Sequence, residues 1–227
     1  MDNASFLRRV SLFEGLSEKE LKALAAVTVS RSFGRDSFII LAEEEGDTLF
    51  VIREGQVKVS ILSADGREVI LSLLGPGSVF GELSLLDGKP RSANVVATED
   101  TALIMLRRAD FLQLIRRVPQ IGIALLAELA SRLRRTDRQI EGLALLDVTG
   151  RISDTLLQLA ADRGVETAEG VSIQSRPTHQ ELANMSGTTR ETVSRVLKRL
   201  ETQGYIACHG RTITILREES WSRSSRP

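Results

Sequence analysis

Between residues 30 and 108 the chain is punctuated every eight to twelve residues by turn-forming groups: Gly46-Asp47, Glu54-Gly55, Asp65-Gly66, Gly75-Pro76-Gly77 and Asp87-Gly88. That is the rhythm of short strands joined by tight turns. The segments between them alternate or run apolar, and six strands are expected: Ser37 to Ala42, Thr48 to Arg53, Val57 to Leu62, Val69 to Leu74, Ala93 to Ala97 and Ala102 to Leu106. Asp65-Gly66 between two apolar runs signals a hairpin. The region therefore reads as an antiparallel roll or barrel. The first thirty residues read as helical, with Leu21, Leu24, Ala25 and Val27 on one face.

From Pro119 to Leu146 the period becomes helical. Leu126, Leu133 and Ile140 are seven apart, as are Leu129, Thr136 and Leu143, offset by three. The alternating spacing is the seam of a two-stranded coiled coil. An amphipathic core helix is the alternative. The narrow stripe, flanked by Arg132, Arg134, Arg135 and Arg138, favours pairing of two chains. A polar seam residue costs stability, so Thr136 has a specific task.

After Asp147-Val148-Thr149-Gly150 a third region begins. Ile152 to Leu159 reads as a short helix, 163–175 as a loop or short strand connection, and 178–203 as two helices. Tyr205 to Leu216 reads as a hairpin around His209-Gly210, and the Ser/Arg-rich tail Trp221 to Pro227 as frayed. The fold class expected is α+β: an antiparallel β-roll over 1–118, a dimerisation helix over 119–146 and a winged helix-turn-helix over 147–227.

Thr178-His179-Gln180-Glu181 has the form of a capping box, and Gly187 sits where a turn needs positive φ. A second helix start follows at Thr188-Thr189-Arg190-Glu191. The second helix is expected to bury Val193, Val196, Leu197 and Leu200 and to present Arg190, Glu191, Ser194, Arg195 and Lys198. Arginine can pair bidentately with guanine in the major groove, and glutamate can accept from cytosine. Thr178, Gln180, Thr189 and Thr192 are candidate phosphate contacts. An ordinary solvated αα-hairpin is the alternative, and the adjacent wing argues against it. Formal net charge is zero, so a nucleic-acid surface has to come from local arrangement.

One cysteine, Cys208, excludes an intrachain disulfide, and neither histidine, His179 or His209, lies in the first two-thirds. No haem, zinc or iron–sulfur ligand set is expected there. With no apolar run of the roughly 20 residues a bilayer requires and no signal-type start, a cytoplasmic protein away from membranes is expected. No catalytic dyad, triad or phosphate loop of the enzyme type occurs, so no enzyme is expected.

Phe80-Gly81-Glu82-Leu83-Ser84-Leu85-Leu86, then Pro90-Arg91-Ser92-Ala93, can form an anion cradle. Amides near Gly81, Leu83 and Ala93 would approach a phosphate, Arg91 would neutralise it, and Glu82 would accept from a ribose hydroxyl. The alternative is a plain Glu82–Arg91 ion pair.

FGELSLLDGKPRSANVVA, LALLDVTGRI, TTRETVSRVLKRLETQGYI and IACHGRTITI occur in the order of the phosphate-binding cassette, hinge, recognition helix and wing of the cAMP receptor protein (CRP/FNR) family, which the chain resembles from residue 10 to 216. The resemblance implies that Gly81, Glu82, Arg91 and Ser92 hold a cyclic phosphate and ribose, and that Thr136 touches the base. It implies that Arg190, Glu191 and Arg195 read DNA bases and that His209 lies near the backbone. It implies a homodimer on pseudo-palindromic double-stranded DNA, with RNA polymerase as a further partner. Asp137 departs from the Ser or Asn common after that Thr in cAMP-binding members, and a carboxylate suits a guanine edge. The effector expected is cAMP, with cyclic di-GMP or cGMP as alternatives. A ligand-independent member, or a kinase or channel regulatory subunit, is a remaining rival. The helix-turn-helix speaks against the last.

Overall fold

The computed structural model describes residues 2–216; the tail expected to fray, Trp221 to Pro227, lies outside them. The chain divides into two compact units, one up to Arg135 and one from Thr136.

In the first unit, β1 (Val29–Phe33), β2 (Phe38–Ile40), β3 (Thr48–Glu54), β4 (Val57–Leu62), β5 (Glu68–Leu74), β6 (Val79–Phe80), β7 (Asn94–Ala97) and β8 (Thr101–Arg107) make two antiparallel sheets of four strands. Their orders are β1-β8-β3-β6 and β2-β7-β4-β5. The six expected strands are all present. The additional β1 has four of its five residues exposed, so it carries no apolar signal, and β6 is two residues long. β4 and β5 form the expected hairpin, closed by Gly66 at φ 81°.

The apolar run of β3 is buried on both faces. Leu49 and Val51 join Phe13, Leu21, Ile104 and Phe111 in a core that also takes in the helices. Their neighbours Phe50 and Ile52 face the other way, toward Ile40, Val57, Phe80 and Val95 of the roll interior. Alternation along one strand thereby anchors two apolar clusters at once.

The helices of this unit are α1 (Asn3–Leu7), α2 (Glu18–Ala26), α3 (Glu82–Asp87) and α4 (Arg108–Arg117); α5 (Pro119–Leu145) begins in it and ends in the second. Ser17 and Glu20 form a capping box that starts α2. Leu21 and Leu24 are buried, but Val27 lies beyond the helix end and is 46% exposed, contrary to the expected face. Within the cradle segment the structure forms a short helix, α3, that no expected element covers. Gly81 and Gly88, both with positive φ, bracket six residues that form a single helical stretch.

α5 carries two apolar faces. Ile121 and Leu125 are buried in the roll core, and Leu129, expected in the seam, packs against that core too. Leu126, Leu133, Ile140 and Leu143 are each at least 60% exposed. An apolar stripe of that kind is costly in water.

The second unit contains α6 (Val148–Arg163), α7 (His179–Ser186) and α8 (Arg190–Thr202) with a sheet of order β11-β12-β10-β9. Its strands are β9 (Val165–Glu166), β10 (Gly170–Ile173), β11 (Ile206–His209) and β12 (Thr212–Leu216). α6 is longer than expected because Asp147 caps it, accepting from the Gly150 amide at 2.7 Å. The apparent break at 147–150 is a helix start. Thr178 and Glu181 do form a reciprocal box: the Glu181 amide donates to Thr178 Oγ1 at 3.2 Å and the Thr178 amide to Glu181 Oε2 at 2.7 Å. α7 ends on Gly187 at φ 62°. The start of α8 is not a second box, since Thr189 alone caps it and the third helical residue is Thr192.

Replacing Thr178 by alanine leaves an α7 amide without its cap. We expect a loss of about 1 kcal/mol in urea unfolding, with the denaturant slope unchanged.

Candidate functional site

Arg91 enters the roll on a backbone ladder. Its amide donates to the Glu44 carbonyl at 2.8 Å and its carbonyl accepts from the Glu43 amide at 2.9 Å. The side chain is 6% exposed. Its Nη1 donates to the Gly81 carbonyl at 2.7 Å and to Ser84 Oγ at 3.0 Å, and its Nη2 to the Thr48 carbonyl at 2.8 Å. The Phe50 ring lies 5.9 Å away, centroid to Cζ, and itself stacks on Phe80. Burial pushes the guanidinium pKa down, while Asp47 and Glu82 push it back up.

Glu82 takes a different cation from the one considered in the simple ion-pair alternative. Its Oε1 accepts from Arg132 Nη1 at 2.8 Å, across fifty residues. Arg132 also donates to the Val79 carbonyl at 2.5 Å and to Glu128 at 3.0 Å. Glu82 is 2% exposed, and its buried Oε2 has no hydrogen-bond partner among the described residues. A cleft of about 610 Å³ opens beside this pair, lined among others by Arg9, Ser78, Glu82, Glu128 and Arg132.

Gly81 adopts φ 82°, so the backbone turns there as only glycine does readily. Leu83 and Ser92 are exposed. Thr136 and Asp137 are exposed on the part of α5 that belongs to the second unit. The cassette thus gathers Gly81, Glu82 and Arg91. Sequence reasoning missed Thr48, whose contribution is a carbonyl oxygen that no side-chain pattern reveals. It also missed Ser84, and it placed Arg132 beside the seam without its partner.

In the second unit α8 has two unlike faces. Val193, Val196 and Leu197 are buried, with Leu200 partly so. Arg190, Glu191, Ser194, Arg195 and Lys198 are exposed. Arg195 Nη2 donates to Thr192 Oγ1 at 3.3 Å, and that hydroxyl also bonds Thr189 Oγ1 at 3.1 Å. Thr192 therefore orients an arginine as well as lying near the helix start. The Glu191 carboxyl is held below the usual range by its own backbone amide and then by the Thr189 hydroxyl. Thr178 and Gln180 are exposed at the start of α7, and His209 is exposed at the wing turn. Arg176 Nε donates to the Gly210 carbonyl of that turn at 3.4 Å. His179, not selected from the sequence, has its pKa lowered by burial and then by the fields of Arg176 and Arg190.

Behind this surface, Arg151 donates to the Ser186 carbonyl at 2.9 Å, and Thr155 and Ser186 share a buried hydroxyl bond at 3.0 Å. These bonds fix α7 on α6, so the exposed start of α8 is carried by a rigid base.

Residues 30–118 match the family model of the cyclic nucleotide-binding domain, and residues 150–220 that of the Crp-like helix-turn-helix domain. The chain belongs to the CRP/FNR family. It is 32% identical, over 97% of its length and 98% of the relative's, to the CRP-like cAMP-activated global transcriptional regulator of Mycobacterium tuberculosis. To the cyclic AMP receptor protein of Thermus thermophilus it is 38% identical, over 90% of this chain and 91% of that one. Among solved structures it is similar to the cyclic-di-GMP-responsive global regulator of Xanthomonas campestris, with a TM-score of 0.74 and 26% identity over 88% of this chain and all of that one. Among the described residues no helix is long and apolar enough to cross a membrane.

For this CRP/FNR chain, the Glu82–Arg132 pair predicts a structural cost that can be measured without any ligand. Arg132→Leu leaves a buried carboxylate unpaired, and a loss of about 3 kcal/mol in unfolding free energy of the first unit is expected. A loss below about 0.5 kcal/mol would mean that water or another cation replaces the arginine.

Proposed function

We propose that the chain is a cytoplasmic, non-enzymatic transcription factor that binds pseudo-palindromic double-stranded DNA as a homodimer, under the control of a cyclic nucleotide, cAMP first. The observation that carries this reading is the division of α8. Three apolar residues sit in the core of the second unit, while Arg190, Glu191 and Arg195 stand exposed on the first turns. Long donors and an acceptor at the free end of a helix are suited to base edges in the major groove. Thr178, Gln180, Thr189, Thr192 and Lys198, with His209 on the wing, are the candidate backbone contacts, and helix amide ends assist them.

The effector reading rests on the cassette. A cyclic phosphate needs a cation and amides, which Arg91 and the turn at Gly81, Leu83 and Ser92 can supply. A ribose hydroxyl needs an acceptor, and Glu82 has a buried oxygen without a partner among the described residues. Satisfying a buried acceptor is worth more than making one more bond in water. Thr136 is the candidate base contact. The exposed stripe Leu126, Leu133, Ile140 and Leu143 on α5 supports a second copy as the homodimer partner, since a parallel pair would bury it. RNA polymerase is the expected further partner of a promoter-bound regulator.

Cyclic di-GMP is the second reading, favoured by one observation. Asp137 is exposed beside Thr136, and a carboxylate accepts well from the two adjacent N–H donors of guanine. The likeness to the Xanthomonas regulator agrees with it.

Titration of the purified protein with cAMP, cGMP and cyclic di-GMP, read by heat and by fluorescence anisotropy of a duplex, tests the proposal. It fails if the protein ignores duplex DNA with every nucleotide present. Arg91→Leu is expected to abolish the nucleotide heat and the DNA response while circular dichroism stays unchanged. On α8, Arg195→Ala should cost about 1–3 kcal/mol on the preferred site and relax base preference there. Lys198→Ala should weaken all sequences alike and flatten the salt dependence, so selection from a randomised duplex library separates the two roles.

A further inference from the structure

Gly46 belongs to a turn-forming pair of the sequence, yet it is not among the glycines with positive φ. Its backbone would accept alanine. What excludes a side chain is Arg91: a Cβ built on Gly46 falls 1.8 Å from Arg91 Nε, 2.2 Å from Cζ and 2.5 Å from Nη2. All three of these nearest atoms belong to the one guanidinium. The volume of a missing methyl group is therefore filled by the cation that the cassette buries. On another side Gly81 approaches less closely, since its Cβ would fall 2.7 Å from Nη1.

We propose that Gly46 is a positioning residue for effector phosphate, holding Arg91 in one orientation by leaving the space in which its guanidinium lies. This rests on the cyclic-nucleotide reading above and adds to it a residue that makes no contact with ligand. Three of the five guanidinium N–H groups go to Gly81, Ser84 and Thr48. Those bonds fix the plane of the group, so its remaining donors, Nε–H and one on Nη2, have a set direction. Both nitrogens that carry them lie against Gly46. A methyl group there cannot coexist with the seat, because the loop is tied by the paired backbones of residues 43–44 and 91. Arg91 must shift off the acceptors that hold it, and a phosphate then meets an arginine that is correctly placed only part of the time. If the placed fraction drops to a tenth, apparent affinity drops about tenfold.

The test is a double-mutant cycle of wild type, Gly46→Ala, Arg91→Ala and the double variant, on the full-length protein. Two readouts are taken: melting temperature in nucleotide-free buffer, and calorimetric affinity for cAMP, cGMP and cyclic di-GMP. Expected is a lower melting temperature and at least about tenfold weaker nucleotide binding for Gly46→Ala alone, with no further loss of melting temperature once Arg91 is already alanine. Losses in melting temperature that simply add would overturn the hold of Gly46 on Arg91, whatever the ligand. Coupled melting with unchanged nucleotide affinity in Gly46→Ala would overturn the positioning role. Coupled melting with no heat from any nucleotide in the wild type would overturn the effector reading on which the proposal stands.

Discussion

A carboxylate sealed from water must find a cation or lose its charge, and Glu82, 2% exposed, finds Arg132 at 2.8 Å. Burying two charges is costly, and their attraction offsets that cost only with good geometry and further bonds. Arg132 has those bonds, reaching the Val79 carbonyl and Glu128 as well. The pair joins the short cassette helix α3 to the long helix α5, two elements that share no sequence neighbourhood. It leaves one oxygen of Glu82 without a partner among the described residues. A fold that seals an acceptor and leaves it unmatched has accepted a penalty that a hydroxyl-bearing ligand can remove.

The two helices that matter most each divide their surface between a core and something outside the chain. α5 places Ile121 and Leu125 in the roll and leaves Leu126, Leu133, Ile140 and Leu143 exposed. α8 buries Val193, Val196 and Leu197 and leaves its cations in water. Burial of roughly 1.5–3 kcal/mol per large apolar side chain anchors the hidden face of each. The outward face is then free to differ in kind: apolar on α5, where a second chain can cover it, and charged on α8, where a polyanion can.

Much of the architecture was legible. Turn pairs such as Asp65-Gly66 limit the lengths of the strands between them, and the capping residues Thr178 and Glu181 with Gly187 mark both ends of α7. The misreadings have local causes. α3 is six residues long, too short for a helical period to show, and it is bounded by glycines that also suit a turn. Asp147 resembles the close of a segment but caps the next helix. Leu129 falls on the heptad yet packs on the roll, because a stripe in sequence does not say which neighbour covers which edge.

By itself, then, the sequence determined the kinds of element, their order, the family, and which cations and carboxylates form the candidate site, because periodicity, capping and turn chemistry act within a few residues. Tertiary structure alone decided who partners whom. Glu82 pairs with a residue fifty positions away, and Arg91 bonds the carbonyls of Thr48 and Gly81 and fills the space over Gly46. Backbone carbonyls are the same in every residue, and an empty volume has no letter. Such partners exist only once the chain has closed around them.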